Sequence, residues 1–403
     1  MKKVAIIICF IWPLISSILG IQLLVGEFRI LSNAEIVNYS NALLVLIGLF
    51  VIYKDIDTPS KTAGLWFIFY ILFYGFGLLS VGLSNFDAPI ARTLLTLIYF
   101  TSFYFFISND ANCLLFFKIF TFSLVVSAFT TLYLFKINYD FDYHGVVPWG
   151  VNRAGGLYAD ANNAALVSIL AYFFFNYFFV PINKLQKGLK YFVLIIIFYS
   201  LVVTFSTTGL STFIILFIIN NHKFFKGFKL IIFGVVGLAL YSSLFLIQSY
   251  TSQLNLTEAQ TNKVNNLINV LTLNTNEVNN SGRGELMENF MINIYNSPVI
   301  GNGIDFSVVK RAHNTYLVVL GDAGILTFIF FIFVLVTYVV KSLKLKNRMR
   351  IFCFSIILTL CIFMISLQSV INQTYLIILF VFIGYVIDNP ILFKKSQQDV
   401  NYD

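Results

Sequence analysis

Six residues of this sequence have the types and positions to handle a phosphate ester: Arg153, Arg283, Lys310, Arg311, His313 and Asn314. An arginine presents a planar fork of donors that matches phosphate oxygens in pairs, and a lysine adds a compact positive charge. Asn314 stands directly before an apolar run, where its side chain can cap a helix. The free N–H groups of that helix's first turn then favour an anion in front of them. His313 shares these cationic surroundings, which disfavour imidazolium and leave a neutral ring able to take a proton from a sugar hydroxyl. Taken alone, His313 reads equally well as an interfacial anchor. As a group, the six describe a phosphate-binding site at the start of membrane spans. Phosphate-cradling glycine loops, nucleophile elbows, zinc-binding helices and carboxylate clusters with metal spacing are missing from the sequence, so neither metal nor cofactor is expected.

What must position these residues is a membrane scaffold. With 59% apolar residues, 18% aromatics, 11% charges and a mean hydropathy of +0.85, 403 residues carry too little polar surface to cover a soluble globule. Apolar runs of about 17 to 25 residues, the length that crosses a bilayer, recur throughout. They predict an all-α polytopic domain over 1–403, with about twelve spans: 4–25, 36–53, 63–83, 93–108, 113–135, 164–180, 191–205, 208–219, 230–248, 315–340, 351–368 and 374–387. Lys2 and Lys3 before the first run give it the charge order of a signal peptide, but its length predicts a retained span. Cys9, Cys113, Cys353 and Cys361 fall in or beside apolar runs, which leaves no disulfide framework.

Alternating the connections puts most of the 26 Lys and Arg on one side, in short basic loops such as 184–190, 223–229 and 341–350. Such loops mark the cytoplasmic face, so both termini are expected in the cytoplasm and the long polar loop 249–314, which precedes the tenth span, outside. This distribution accounts for the net charge of +8 without a nucleic-acid partner. The 46 Phe and 22 Tyr are expected to face lipid and the interface. Asp322, inside a predicted span, is expected to pack rather than to share a proton with His313, about 13 Å away along a helix.

Three outer segments remain. The stretch 136–163 is rich in aromatics, Gly and Asn, and its His144, Trp149, Asp160 and Asn162 can stack on or hydrogen-bond to a sugar; an interfacial belt with turns is the other reading. The second is the turn Phe205-Ser206-Thr207-Thr208-Gly209. The third predicts an amphipathic helix near 258–271, then a helix from Arg283 whose apolar positions Leu286, Met287, Phe290, Met291, Ile294 and Tyr295 should lie down in the interface.

His313-Asn314, nine intervening residues, Gly324, two more and Thr327 fit the H-[NSQ]-x9-G-x-x-[GTY] pattern of the O-antigen ligases and O-antigen polymerases, and the chain resembles that superfamily. The resemblance extends to Arg283-Gly284-Glu285-Leu286, the Pro298-x-x-Gly301-x-Gly303 turn, and Arg153-Ala154-Gly155-Gly156 followed by Asp160-Ala161-Asn162. It implies a metal-independent glycosyltransferase of the bacterial inner membrane, with its active site on the periplasmic side and an undecaprenyl-pyrophosphate-linked oligosaccharide as donor. By that analogy Arg283 binds the pyrophosphate, His313 activates the acceptor or orients the donor, and Asn314 positions. Many members, ligases especially, carry an Arg in the short outer turn, where this chain has Ser206-Thr207-Thr208-Gly209. The second cation then falls to Arg153 or Arg311, and the polymerase is favoured over the ligase that transfers polymer to lipid A core. A lipid-linked oligosaccharide flippase is the competing class, and a chain-length regulator is a conceivable protein partner.

Overall fold

The computed structural model describes residues 2–31, 33–83, 90–148, 151–221, 242, 257–272 and 283–390. Its elements are α1 (Lys2–Ile18), α2 (Ile21–Glu27), α3 (Glu35–Ile52), α4 (Lys61–Leu83), α5 (Ile90–Phe106), α6 (Asp110–Lys136), the hairpin of β1 (Tyr139–Asp140) and β2 (Gly145–Val146), α7 (Ala161–Phe178), α8 (Lys184–Val202), α9 (Thr207–Asn220), α10 (Glu258–Leu271), α11 (Arg283–Asn296), α12 (Phe306–Val309), α13 (Thr315–Leu343), α14 (Asn347–Phe363) and α15 (Thr374–Asp388). Helices occupy each expected span except 230–248, which apart from Ser242 lies outside the described residues. Among the described residues, five are long and apolar enough to cross a membrane, or six if the bent pair α1 and α2 is one span. The expected twelve exceed what length and composition establish.

Two expected spans are broken. The first bends by 65° between α1 and α2 at Gly20, which takes a left-handed φ of 57°. The second break is at Gly324 inside α13, where φ is 77° and ψ −178°.

α15 runs through the middle of the bundle, and every residue from Tyr375 to Ile387 is buried. A helix apolar all round belongs in such an interior position. Around it α4, α13 and α15 meet in an aromatic knot, with Trp66 against Phe380 at 4.5 Å and Phe69 against Phe331 at 5.2 Å between ring centroids. This corrects the expectation for the aromatics: Phe10, Phe69, Phe73, Phe100, Phe103, Phe116, Phe120 and Phe174 are fully buried between helices. Lipid is as apolar as a phenyl ring, so helices associate through close packing, which edge-to-face and stacked rings supply.

Polar side chains gather at the two ends of the bundle. At one end Asp388 accepts hydrogen bonds from Ser60 Oγ and from Thr62 N and Oγ1, and Lys341 Nζ lies 3.4 Å from it. Lys2 and Asp55 pair at 2.5 Å. The opposite end collects the hairpin, the start of α7, the α8–α9 turn, α10 to α12 and the loop between α14 and α15.

Candidate functional site

The start of α13 is built from its cap. Asn314 accepts hydrogen bonds from Tyr316 N at 2.9 Å and Leu317 N at 3.3 Å. Thr315 N donates to Met364 O at 2.7 Å, docking this helix start on the end of α14. His313, with φ 48°, is exposed, and its N–H donates to Gln368 Oε1 at 3.4 Å. Arg311, at φ 54°, and Lys310 are exposed just before it, with Lys310 Nζ 5.8 Å from the centroid of the Phe306 ring.

The first half of α13 ends at Gly324, and the segment 298–303 straps across the break. Asn302 N donates to Gly321 O at 2.8 Å, Gly303 N to Asp322 O at 3.1 Å, and Ile325 N to Pro298 O at 2.9 Å. The freed backbone groups of the broken helix are thereby satisfied by protein. A Cβ at Gly324 would overlap the Val299 carbonyl, and one at Gly301 would overlap the Asp322 carbonyl. Both glycines also need positive φ, 77° and 78°. The spacing from His313 to Gly324 is therefore one short helix between a cap and a docked strap.

Asp322 is buried, and its carboxylate accepts Ser307 N at 2.8 Å and Asp305 N at 3.1 Å, holding α12 against α13. Phe290 and Ile294 of α11 are buried against this unit, the Phe290 ring 6.2 Å from that of Phe306. The helix thus turns only part of its apolar surface outward: Met287 is 50% and Tyr295 74% exposed. Arg283 opens α11, and its side chain lies outside the described ones.

A second cluster forms around Arg153. Its Nε donates to Thr204 O at 3.2 Å and its Nη2 to Asn162 Oδ1 at 3.4 Å, while Ser206 Oγ donates to the same Asn162 oxygen at 2.8 Å. The loop before α7 and the α8–α9 turn are thereby one unit, with Arg153 on the turn that itself carries no arginine. Asp160 caps α7, accepting Asn163 N at 2.7 Å. Trp149 lies outside the described residues.

The loop between α14 and α15, which sequence reasoning passed over, joins the two clusters. Gln368 meets His313, and five residues on Gln373 Nε2 donates to Asn163 Oδ1 at 2.9 Å. Its signal was present as Gln368, Ser369, Asn372 and Gln373 between two apolar runs. Asn372 Oδ1, Gln373 Oε1 and the Tyr375 hydroxyl are buried with no partner among the described residues, the usual mark of a place where water or a ligand completes the bonding. His144 stands apart on the hairpin, its Nδ1 2.8 Å from Glu27 Oε2. Among the described residues no three His, Cys, Asp or Glu side chains are grouped to share a metal ion.

One end of a helical bundle with the composition of a membrane protein thus carries a capped helix start, exposed cations, an anchored arginine and unfilled hydrogen-bonding atoms. That set can bind an anionic, hydroxyl-rich molecule. No family model matches the chain, and no curated protein sequence matches it significantly.

Proposed function

We propose that this chain is an O-antigen polymerase: an integral-membrane glycosyltransferase that takes an oligosaccharide repeat unit from undecaprenyl pyrophosphate and joins it to the next. In this reading the bundle spans the inner membrane about twelve times with both termini cytoplasmic, and the end bearing His313 and Arg153 faces the periplasm. Arg283, Lys310, Arg311 and Asn314 with its helix start meet the pyrophosphate, whose charge grows as the glycosidic bond breaks. Asn162 and Asp160 hold Arg153 and α7 in place, and a chain-length regulator is the protein partner this reading admits.

The observation that carries the reading is the position of Arg153. Many members of the resembled superfamily place an arginine in the turn equivalent to 206–209; here the Arg153 guanidinium donates to Thr204 O, just before that turn, and shares Asn162 with Ser206. This supports the reading that Arg153, from a different loop, supplies the second cation.

Deleting the gene and analysing the surface polysaccharide tests the reading. Loss of long chains with a single capped repeat unit retained supports the polymerase. Loss of every capped core assigns the ligase reaction instead, and vesicles that translocate lipid-linked sugar without elongating it assign a flippase.

A further inference from the structure

The bent helix α2 ends on Glu27, whose side chain is 5% exposed, and the residue that covers it, His144, is 78% exposed. Glu27 Oε1 accepts the Tyr139 hydroxyl at 2.6 Å, and Oε2 lies 2.8 Å from His144 Nδ1. The carboxylate is covered by the two rings it binds rather than by depth in the protein. A carboxylate at a helix C-terminus faces the negative end of the dipole, and the two donors offset that cost. Glu27 in turn pushes the Tyr139 phenol up to about 12. His144 holds a left-handed φ of 54° in the hairpin turn, a conformation that costs a non-glycine residue free energy and gathers at functional positions.

A carboxylate on Nδ1 fixes the tautomer in which the other ring nitrogen keeps its lone pair, and it stabilises the imidazolium that forms when that nitrogen takes a proton. Here the ring that carries the second nitrogen is open to water. The pair belongs to the same end of the bundle as the two clusters above. About 10 Å back along α2, Gly20 packs on the Leu157 carbonyl and Tyr158 donates to Ile18 O. The Tyr158 ring lies 5.9 Å from that of Tyr375, two residues from Gln373.

We propose that Glu27 and His144 form an acid–base dyad, in which the free ring nitrogen of His144 takes the proton of the acceptor sugar hydroxyl. The proposal rests on the glycosyltransferase reading. The acceptor oxygen bonds to the donor's anomeric carbon, the bond from that carbon to the pyrophosphate oxygen breaks, and its electron pair leaves on the phosphate. The proton passes from the hydroxyl to His144 and on to water. His313 is then left to the donor. The other titratable groups around the dyad are Tyr139 and Asp142 of the hairpin, with Asp140 and Asp160 acting on Asp142.

The test uses the full-length protein in liposomes with undecaprenyl-pyrophosphate-linked repeat units as donor and acceptor. His144→Ala should lower transfer about 100-fold or more, with partial recovery on adding imidazole, which the open site admits. Glu27→Gln should lower transfer as well, and Glu27→Asp, which keeps a carboxylate facing the ring, should restore part of it. A wild-type rate from His144→Ala overturns the dyad. So does a loss that imidazole leaves unrepaired while Glu27→Gln transfers as fast as Glu27→Asp, which makes the pair a staple for the hairpin. If His313→Ala abolishes transfer and His144→Ala does not, only the dyad falls. If the wild-type protein transfers nothing, the glycosyltransferase reading falls and takes the dyad with it.

Discussion

Gly324 lies so close to Val299 that a Cβ at position 324 would overlap the Val299 carbonyl oxygen, and its φ of 77° with ψ of −178° is open to glycine alone. The strap 298–303 depends on this contact. Gly324→Ala should therefore cost at least about 2 kcal/mol and lower the melting temperature in detergent. Gly75→Ala, where a Cβ meets nothing within 4 Å, should stay within about 1 kcal/mol of wild type.

Asp322 serves as the hydrogen-bond acceptor for α12. Asp322→Ala leaves Asp305 N and Ser307 N without their acceptor, at a cost of about 1–3 kcal/mol per buried donor. Limited proteolysis should then cut 283–312 faster than in the wild type. Asp322→Asn, which keeps one carbonyl oxygen, should be cut at an intermediate rate.

Asn314 separates capping from anion binding. Asn314→Ala should lose about 1 kcal/mol of stability with the cap. Asn314→Asp should keep the cap and the melting temperature, yet place a negative charge where the proposed pyrophosphate binds, so its transfer rate should fall further than that of Asn314→Ser. Equal rates for the two would remove the anion from this position.

Much of this is legible in the sequence, and the failures have physical reasons. The helices follow from apolar runs, and the His313 to Gly324 spacing coincides with one short capped helix ending at a break. The break at Gly324 is hidden because a single glycine in an apolar run is compatible with a continuous helix; only the strap, 21 to 26 residues upstream, makes it a break. Composition likewise cannot tell a buried helix from a lipid-facing one, so Tyr375 to Ile387 read as an ordinary span. Glu27 and His144 are 117 positions apart, and no local pattern announces their pairing.

Arg153 is engaged through two of its nitrogens. Arg153→Lys keeps the charge and loses the fork, so it should disconnect the outer loop from the α8–α9 turn and retain only a small part of the transfer rate. Wild-type transfer by the lysine variant would reduce Arg153 to a point charge.

The central claim is that cations and an imidazole at one end of the bundle move a glycan off a lipid diphosphate. Its most direct test is the release of undecaprenyl pyrophosphate from labelled lipid-linked repeat units by the purified protein in liposomes, comparing wild type with His313→Ala and Arg283→Ala. The account predicts release coupled to chain elongation for the wild type and neither for the variants, at equal amounts of folded protein. Release and elongation at wild-type rates from both variants would contradict it.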